Sequence, residues 1–346
     1  DTPFVQTETL ENMCAALETN DVVVLGFDAT DPARYGRLVM QGDSLDRIVE
    51  YKDATDEERA ITLCNSGVVA CKSHLLFDLI DAVGNDNASE EYYLTDIIGI
   101  ARERGLKATA VTCDEAETMG VNSRADLAAA DAAFQSRARA AMLEDGITLM
   151  APETVYFARD TYIGRDTVIE PNVVFGPGVT IESGATIRAF SHLEGCHVAR
   201  GGVIGPYARL RPGAELSEDV RIGNFVEVKN AQIAEGAKVN HLSYIGDATI
   251  GAKANIGAGT ITCNYDGVMK HHTHIGANAF IGSNTMLVAP VHIGDGAMTG
   301  SGSVITSDVE ADALALARAH QVEKPGMARK LLEMLKAKKA KQQRGS

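Results

Sequence analysis

From residue 157 onward, apolar residues recur at every sixth position: Phe157, Ile163, Ile169, Phe175, Ile181, Ile187 and Leu193. The series slips by one and resumes at Val198, Ile204, Leu210, Leu216, Ile222 and Val228. It slips again to Ile233, Val239 and Ile245, and once more to Ile250 and Ile256. After a gap it returns as Ile275, Ile281, Leu287 and Ile293. A period of six fits neither an amphipathic helix nor a half-buried strand; it is the signature of a parallel β-helix. Each hexad supplies one flat face and a corner. The repeated residue points inward, and the small residue that often follows, as in Ile163-Gly164, Ile245-Gly246 and Ile256-Gly257, lets the backbone bend. Three hexads make a coil of about 18 residues, so residues about 18 apart should stack. About eight coils at ~4.8 Å each predict a prism of roughly 40 Å. An aromatic content of only 5% suits a core of small and branched side chains.

Residues 1–122 read instead as mixed α/β. Val22–Leu25 and Lys107–Thr112 predict strands, and Arg37–Met40 and Arg47–Glu50 predict a hairpin about Gly42-Asp43. His74–Val83 and Tyr93–Arg104 predict helices, the second closed by Gly105. Residues 123–146 open with Ser123, hold nine alanines and end at Gly146, which predicts one long connecting helix. The β-helix then occupies 147–310 and an extension 311–346. Within the extension, Met327–Lys341 predicts a short amphipathic helix rather than an RNA-binding tail.

A net charge of −15 argues against nucleic-acid partners, which demand a basic surface. No apolar run is long enough for a membrane span. The six cysteines are scattered without a CxxC pair, which suggests free thiols in a reducing cytoplasm. A start at Asp1, without methionine, reads as a cut end.

The period breaks between Ile256 and Ile275, and residues 262–274 predict a mobile loop extruded from the wall, bringing Asn264, Tyr265, Lys270 and His271, His272 and His274 to one place. His241 precedes it, and stacking at 18 residues would set it near Gly223 and Gly259. Arg209, Arg211, Lys229 and Lys270 form a basic group in an acidic chain and could hold a phosphate. Three readings stay open on these residues: an acyl-transfer enzyme, its acceptor a sugar phosphate or a different one such as a serine or another amino sugar; a non-catalytic trimerisation scaffold; and a zinc-dependent prism enzyme of the γ-carbonic-anhydrase kind. Histidines on a mobile loop suit the last poorly.

The segments Gly205–Ala214, Gly223–Lys229 and Asn255–Gly267 resemble the C-terminal half of the GlmU family, glucosamine-1-phosphate acetyltransferases that are also N-acetylglucosamine-1-phosphate uridyltransferases. Tyr35-Gly36-Arg37, Ile48–Ala54, Asn65-Ser66-Gly67, Glu91–Asp96 and Gly120-Val121-Asn122 resemble its uridyltransferase half. The resemblance implies a truncated nucleotidyltransferase-like, Rossmann-type α/β domain followed by a left-handed β-helix. It also implies a cytoplasmic homotrimer with sites between neighbouring prisms. By the same resemblance His241 is the general base, oriented by Glu227. Arg211, Lys229, Tyr244, Asn255 and Lys270 bind glucosamine 1-phosphate, and Asn264 and Tyr265 line the sugar and acetyl site. Ala258, Ser283 and Ser301 contact acetyl-CoA through backbone groups, and Arg318 its phosphates. The family often has alanine where Ser301 stands, a change that a backbone contact tolerates. Gly36, Glu50, Asn65 and Asn122 correspond to residues that bind UTP or UDP-N-acetylglucosamine, and Asp1 and Asn122 to magnesium ligands. The family's glycine-rich nucleotide loop precedes the position of Asp1, so the resemblance implies that uridyl transfer is lost in this chain as it stands.

Overall fold

The computed structural model describes residues 2–86 and 90–344. Two compact units divide inside one helix, the first ending at Phe134 and the second beginning at Gln135.

The first unit is built on a five-stranded sheet. Its strands are β1 (Val22–Asp28), β2 (Arg37–Gln41), β3 (Ser44–Val49), β4 (Leu63–Cys71) and β5 (Ala108–Cys113), in the order β3-β2-β4-β1-β5. β1 pairs antiparallel with β4 and parallel with β5. Its run Val22–Leu25 is fully buried because helices cover both sheet faces. Helix α1 (Thr7–Ala16) sets Met13 on Val23 and Leu25. Of the remaining helices, α2 (Asp56–Arg59) is closed by a capping box from Thr55 and Glu58. The other face is covered by α3 (Ser73–Ile80) and α4 (Ile97–Glu103), through Leu79, Ile97, Ile98 and Ala101. The hairpin falls where its turn signal put it. Neither α1 nor β4 was legible in the sequence, since Cys64, Asn65, Ser66 and Gly67 interrupt any apolar alternation.

Helix α5 (Arg124–Glu144) starts where Ser123 was expected to cap it. The Ser123 Oγ accepts the Asp126 N–H at 3.1 Å, and the Asp126 carboxylate accepts the N–H groups of Asn122 and Ser123. In the second unit, the later part of this helix closes the raw end of the β-helix. Gln135 exchanges two 2.9 Å hydrogen bonds with the backbone of Phe157, and Arg139 Nε donates to the Val155 carbonyl. These bonds satisfy edge groups that would otherwise pair with another chain.

The second unit is a left-handed parallel β-helix with three faces. The first face stacks ten short strands from Thr148–Leu149 to Leu314–Ala315. The inward column runs Ile187, Ile204, Ile222, Val239, Ile256 and Ile281, all at most 3% exposed. Corner residues take left-handed backbone angles, often supplied by glycine or by Asn and Asp, which tolerate them, but also by Phe190, Tyr207, Phe225, Leu242 and Lys253.

The one-residue slips have a single location. Glu227–Ile233 and Tyr244–Ile250 are continuous strands that run from the second face around into the third. The bend sits at Asn230 (φ 44°) and Asp247 (φ 46°), where one residue fewer separates the inward positions. In the next coil the same corner expands, and Ile256 stacks on a residue 25 positions later, Ile281. The expected interruption at 262–274 is therefore shorter. Ile261–Cys263 and Thr273–Ile275 are wall strands with Thr262 and Thr273 fully buried, and the insertion is 264–272. The C-terminal helix α6 (Met327–Arg344) is exposed where described and runs slightly past its expected end. Among the described residues no helix is long and apolar enough to cross a membrane.

Candidate active site

The second face carries two outward columns. Arg209, Glu227 and Tyr244 stack in one, and Lys229 and Gly246 pair in the other, which Arg211 precedes. Arg211 Nη1 donates to Glu227 Oε1 at 2.7 Å, which holds the guanidinium above its usual pKa. Arg209 lies 3.9 Å from the other Glu227 oxygen. Lys270 reaches back from the insertion to Lys229, and the facing ammonium pushes Lys229 below the ordinary lysine range. The structure thus gathers Arg211, Lys229 and Lys270 at one corner, with Tyr244 beside them.

A buried carboxylate underlies that corner. Asp247 is 7% exposed and accepts from Asn230 Nδ2 at 2.5 Å and from Asn264 Nδ2. Burial alone would raise its pKa. The two amide donors, with Lys270 and Lys229 nearby, outweigh it, and the net shift is downward. Asn264 in turn holds the insertion, its carbonyl accepting the His271 N–H at 2.8 Å. The insertion is a compact hairpin rather than a mobile loop. Tyr265 bridges to Lys270, and Tyr265 Oη donates to the Gly267 carbonyl at 2.6 Å. Asp266 accepts from His271 Nε2 and from the N–H groups of Met269 and Val268, and is held at about 2.

His241 stands at the opposite edge of the second face, one residue before the left-handed corner at Leu242. Its neighbour one coil back is Asn224, one residue from Gly223 as the slip allows, because that coil is 17 residues long. One expectation about it is corrected. Its orienting partner is also Asn224 rather than Glu227: His241 Nδ1 lies 2.7 Å from Asn224 Oδ1, whereas Glu227 is engaged by the arginines. A cleft of about 350 Å³ opens here, lined in part by Arg221, Gly223, Asn224, Asn240 and His241. The same edge continues through Ala258, Ser283 and Ser301, as successive hydrogen bonds show. Gly259 N donates to His241 O, Asn284 N to Ala258 O, and Gly302 N to Ser283 O. Arg318 Nη1 ends the series by donating to Ser301 O at 2.6 Å. Asn255 belongs to neither edge; it lies on the first face between Lys238 and Phe280.

The histidines divide. His271 is tied to Asp266, whereas His272 bonds Thr249 Oγ1 at 2.9 Å and lies 4.4 Å from the His274 ring. Burial and His274 lower the His272 pKa. Among the described residues no group of three His, Cys, Asp or Glu could hold a metal ion.

In the first unit, Gly36, Glu50 and Asn65 converge. A Cβ at Gly36 would lie 3.4 Å from Glu50 Oε1 and 3.6 Å from Asn65 Cβ. Glu50 accepts from Thr95 Oγ1 at 3.1 Å. Asn122 sits apart from them in sequence at the start of α5, its N–H on Asp126. Asp1 lies outside the described residues.

Residues 160–195 and 272–307 match the model of the bacterial transferase hexapeptide (six repeats) family. A protein of Roseobacter denitrificans named "Bifunctional protein GlmU" is 74% identical over 346 residues, which is 100% of this chain and 77% of that protein. The chain belongs to the GlmU family. Two further GlmU proteins agree. That of Ruegeria sp. (strain TM1040) is 70% identical over 100% of this chain and 77% of its own length. That of Ruegeria pomeroyi is 75% identical over 99% and 76%. GlmU membership accords with the hexapeptide prism and with a transferase role for the chain.

The sequence reading missed Asn224, Asn230 and Asp247. Their signal was present in the one-residue slips, which mark the shortened coils on which all three lie.

Proposed function

We propose that the β-helix transfers the acetyl group of acetyl-CoA to the amine of glucosamine 1-phosphate, giving N-acetylglucosamine 1-phosphate. The observation that carries this reading is the edge running from His241 through Ala258, Ser283 and Ser301 to Arg318. It spans three coil steps, roughly 14 Å at ~4.8 Å each, from a titratable base to a cation. A thioester carrier laid along it would put its carbonyl at His241 and its phosphates at Arg318.

Asn224 Oδ1 accepts the Nδ1–H of His241, which leaves Nε2 as the basic nitrogen. The acceptor amine attacks the thioester carbon, Nε2 takes the proton that the amine loses, and the C–S bond breaks as the thiolate departs. Arg211, Lys229, Lys270 and the Tyr244 hydroxyl hold the sugar phosphate, Asn264 and Tyr265 line the acceptor pocket, and Asn255, on the first face, would reach that phosphate from a neighbouring copy. Glu227 positions Arg211. His241 and the cation corner lie on opposite edges of one face, so we assign the working site to neighbouring copies in a homotrimer.

The first unit is the uridyl-transfer half in this reading. UTP or UDP-N-acetylglucosamine would lie against Gly36, Glu50 and Asn65. Asp1 and Asn122 would hold magnesium, which supplies charge neutralisation at the phosphates. The six free thiols suit a cytoplasmic protein.

The test is thiol release from acetyl-CoA with glucosamine 1-phosphate. His241→Ala should lower it by roughly 10²–10⁴-fold, the usual scale for a general base. An undiminished rate removes His241 from the chemistry, and no release by a folded wild-type trimer removes the reaction itself.

A further inference from the structure

We infer that Gly246 is a positioning residue of the acceptor site: its missing side chain is the shelf on which the Tyr244 ring lies. This rests on the acceptor reading above. The outward column that carries a lysine at Lys229 carries glycine one coil later. A Cβ at Gly246 would meet Tyr244 Oη, with Cζ at 2.6 Å and Cε1 at 2.8 Å, and nothing of the backbone is as near. Other glycines that follow an inward isoleucine differ. At Gly257 and Gly282 a Cβ would lie 2.5 Å from backbone atoms of the next coil, so the fold itself demands them. Gly246 has no left-handed φ, and its N–H donates to Thr262 Oγ1, a bond that alanine keeps. The ring, not the backbone, therefore requires glycine here. Gly246 is buried although it faces outward, because the ring covers it. So placed, the Tyr244 hydroxyl crosses the face from the Glu227 column to the Arg211 and Lys270 charges.

The test is a double-mutant cycle on the full chain, with glucosamine 1-phosphate binding followed separately by calorimetry. Gly246→Ala should raise the KM for the sugar phosphate about tenfold, the loss of one hydrogen bond to a charged group, with kcat within about twofold. Tyr244→Phe, which keeps the ring and drops the hydroxyl, should match it. In a Tyr244→Ala background Gly246→Ala should add nothing. A wild-type KM for Gly246→Ala, or a full penalty that recurs without the tyrosine ring, overturns the inference. A wild-type chain that neither binds the sugar phosphate nor releases thiol overturns the acceptor reading instead. Should the alanine variant fail to fold, Tyr244→Phe carries the test alone, and a wild-type KM for it overturns the inference.

Discussion

Removing the Asp247 carboxylate should free the insertion while leaving the prism folded. Its two oxygens accept from Asn230 and Asn264, and hydrogen bonds to a charged acceptor contribute ~1.5–3 kcal/mol each. Asp247→Ala leaves both amides without that acceptor, a deficit of about 3–6 kcal/mol if the native geometry were kept. The chain has a cheaper response. Residues 264–272 are an excursion from the wall, so they can open and let water reach both amides, and the cost is capped at the energy of that local opening. Asp247→Asn should be milder. Its amide retains one acceptor, and a flip of the Asn264 amide restores the second bond as a neutral one. The assay is hydrogen exchange at the His271 N–H, which donates to the Asn264 carbonyl. We expect Asp247→Ala to speed it by about 100-fold, equivalent to roughly 3 kcal/mol, with Asp247→Asn intermediate and the wall amides Val239 and Ile245 unchanged. Equal exchange at His271 in the wild type and in Asp247→Ala would refute the anchoring argument. So would accelerated exchange throughout the wall, which would make Asp247 a determinant of the whole fold.

Two further outcomes follow from the same geometry. Asp266 is held at about 2 by His271 and two backbone N–H groups, below its ordinary value. Its support for the hairpin is therefore complete above about pH 4 and is lost as pH falls toward 2; proton NMR of the His271 ring across that range checks it, and Asp266→Asn should abolish the transition. Ile222, 1% exposed in the inward column, should cost ~2–5 kcal/mol as Ile222→Ala in urea unfolding of the β-helix; a loss below about 1 kcal/mol would show that its coil collapses around the gap.

The architecture of the second unit was legible because a buried column tolerates little but aliphatic residues, and its period is written directly in Ile163, Ile169, Ile181 and Ile187. The first unit was less so. β1 announces itself as four apolar residues, but β4 threads Asn65, Ser66 and Gly67 through the middle of the sheet, and its place between β1 and β2 depends on pairing that no local pattern records. Within the candidate site, the cation corner was legible because Arg211, Lys229 and Lys270 cluster charges of one sign beside the break in the repeat of an acidic chain. The Asp247 anchor was not, since an aspartate after a glycine reads as any exposed turn until its two amide partners are seen.

The partner of His241 shows why the outward residues resist extrapolation when the inward ones do not. Inward positions are fixed by the core, so a coil that loses a residue must lose it at a corner, and the sequence separation between residues stacked across that coil falls from 18 to 17. Counting 18 back from His241 lands on Gly223, which offers no side chain. The actual coil, shortened at the Asn230 corner, lands on Asn224, whose Oδ1 meets the ring at 2.7 Å. The next coil is shortened in the same way at Asp247, and the coil after it carries the expanded corner that holds Lys270. The shortened corners thus bear on the cation edge, through Asn230, Asp247 and Asn264, whereas at the base edge they change only which residue number stands opposite His241. An insertion after Asn230 that the corner absorbs should therefore leave Val239 on Ile222 and His241 on Asn224, while it breaks the hydrogen bond from Asn230 Nδ2 to Asp247 and loosens the cation corner. A β-helix that stays folded and retains full acetyl transfer after that insertion would show that the slip is incidental to the site.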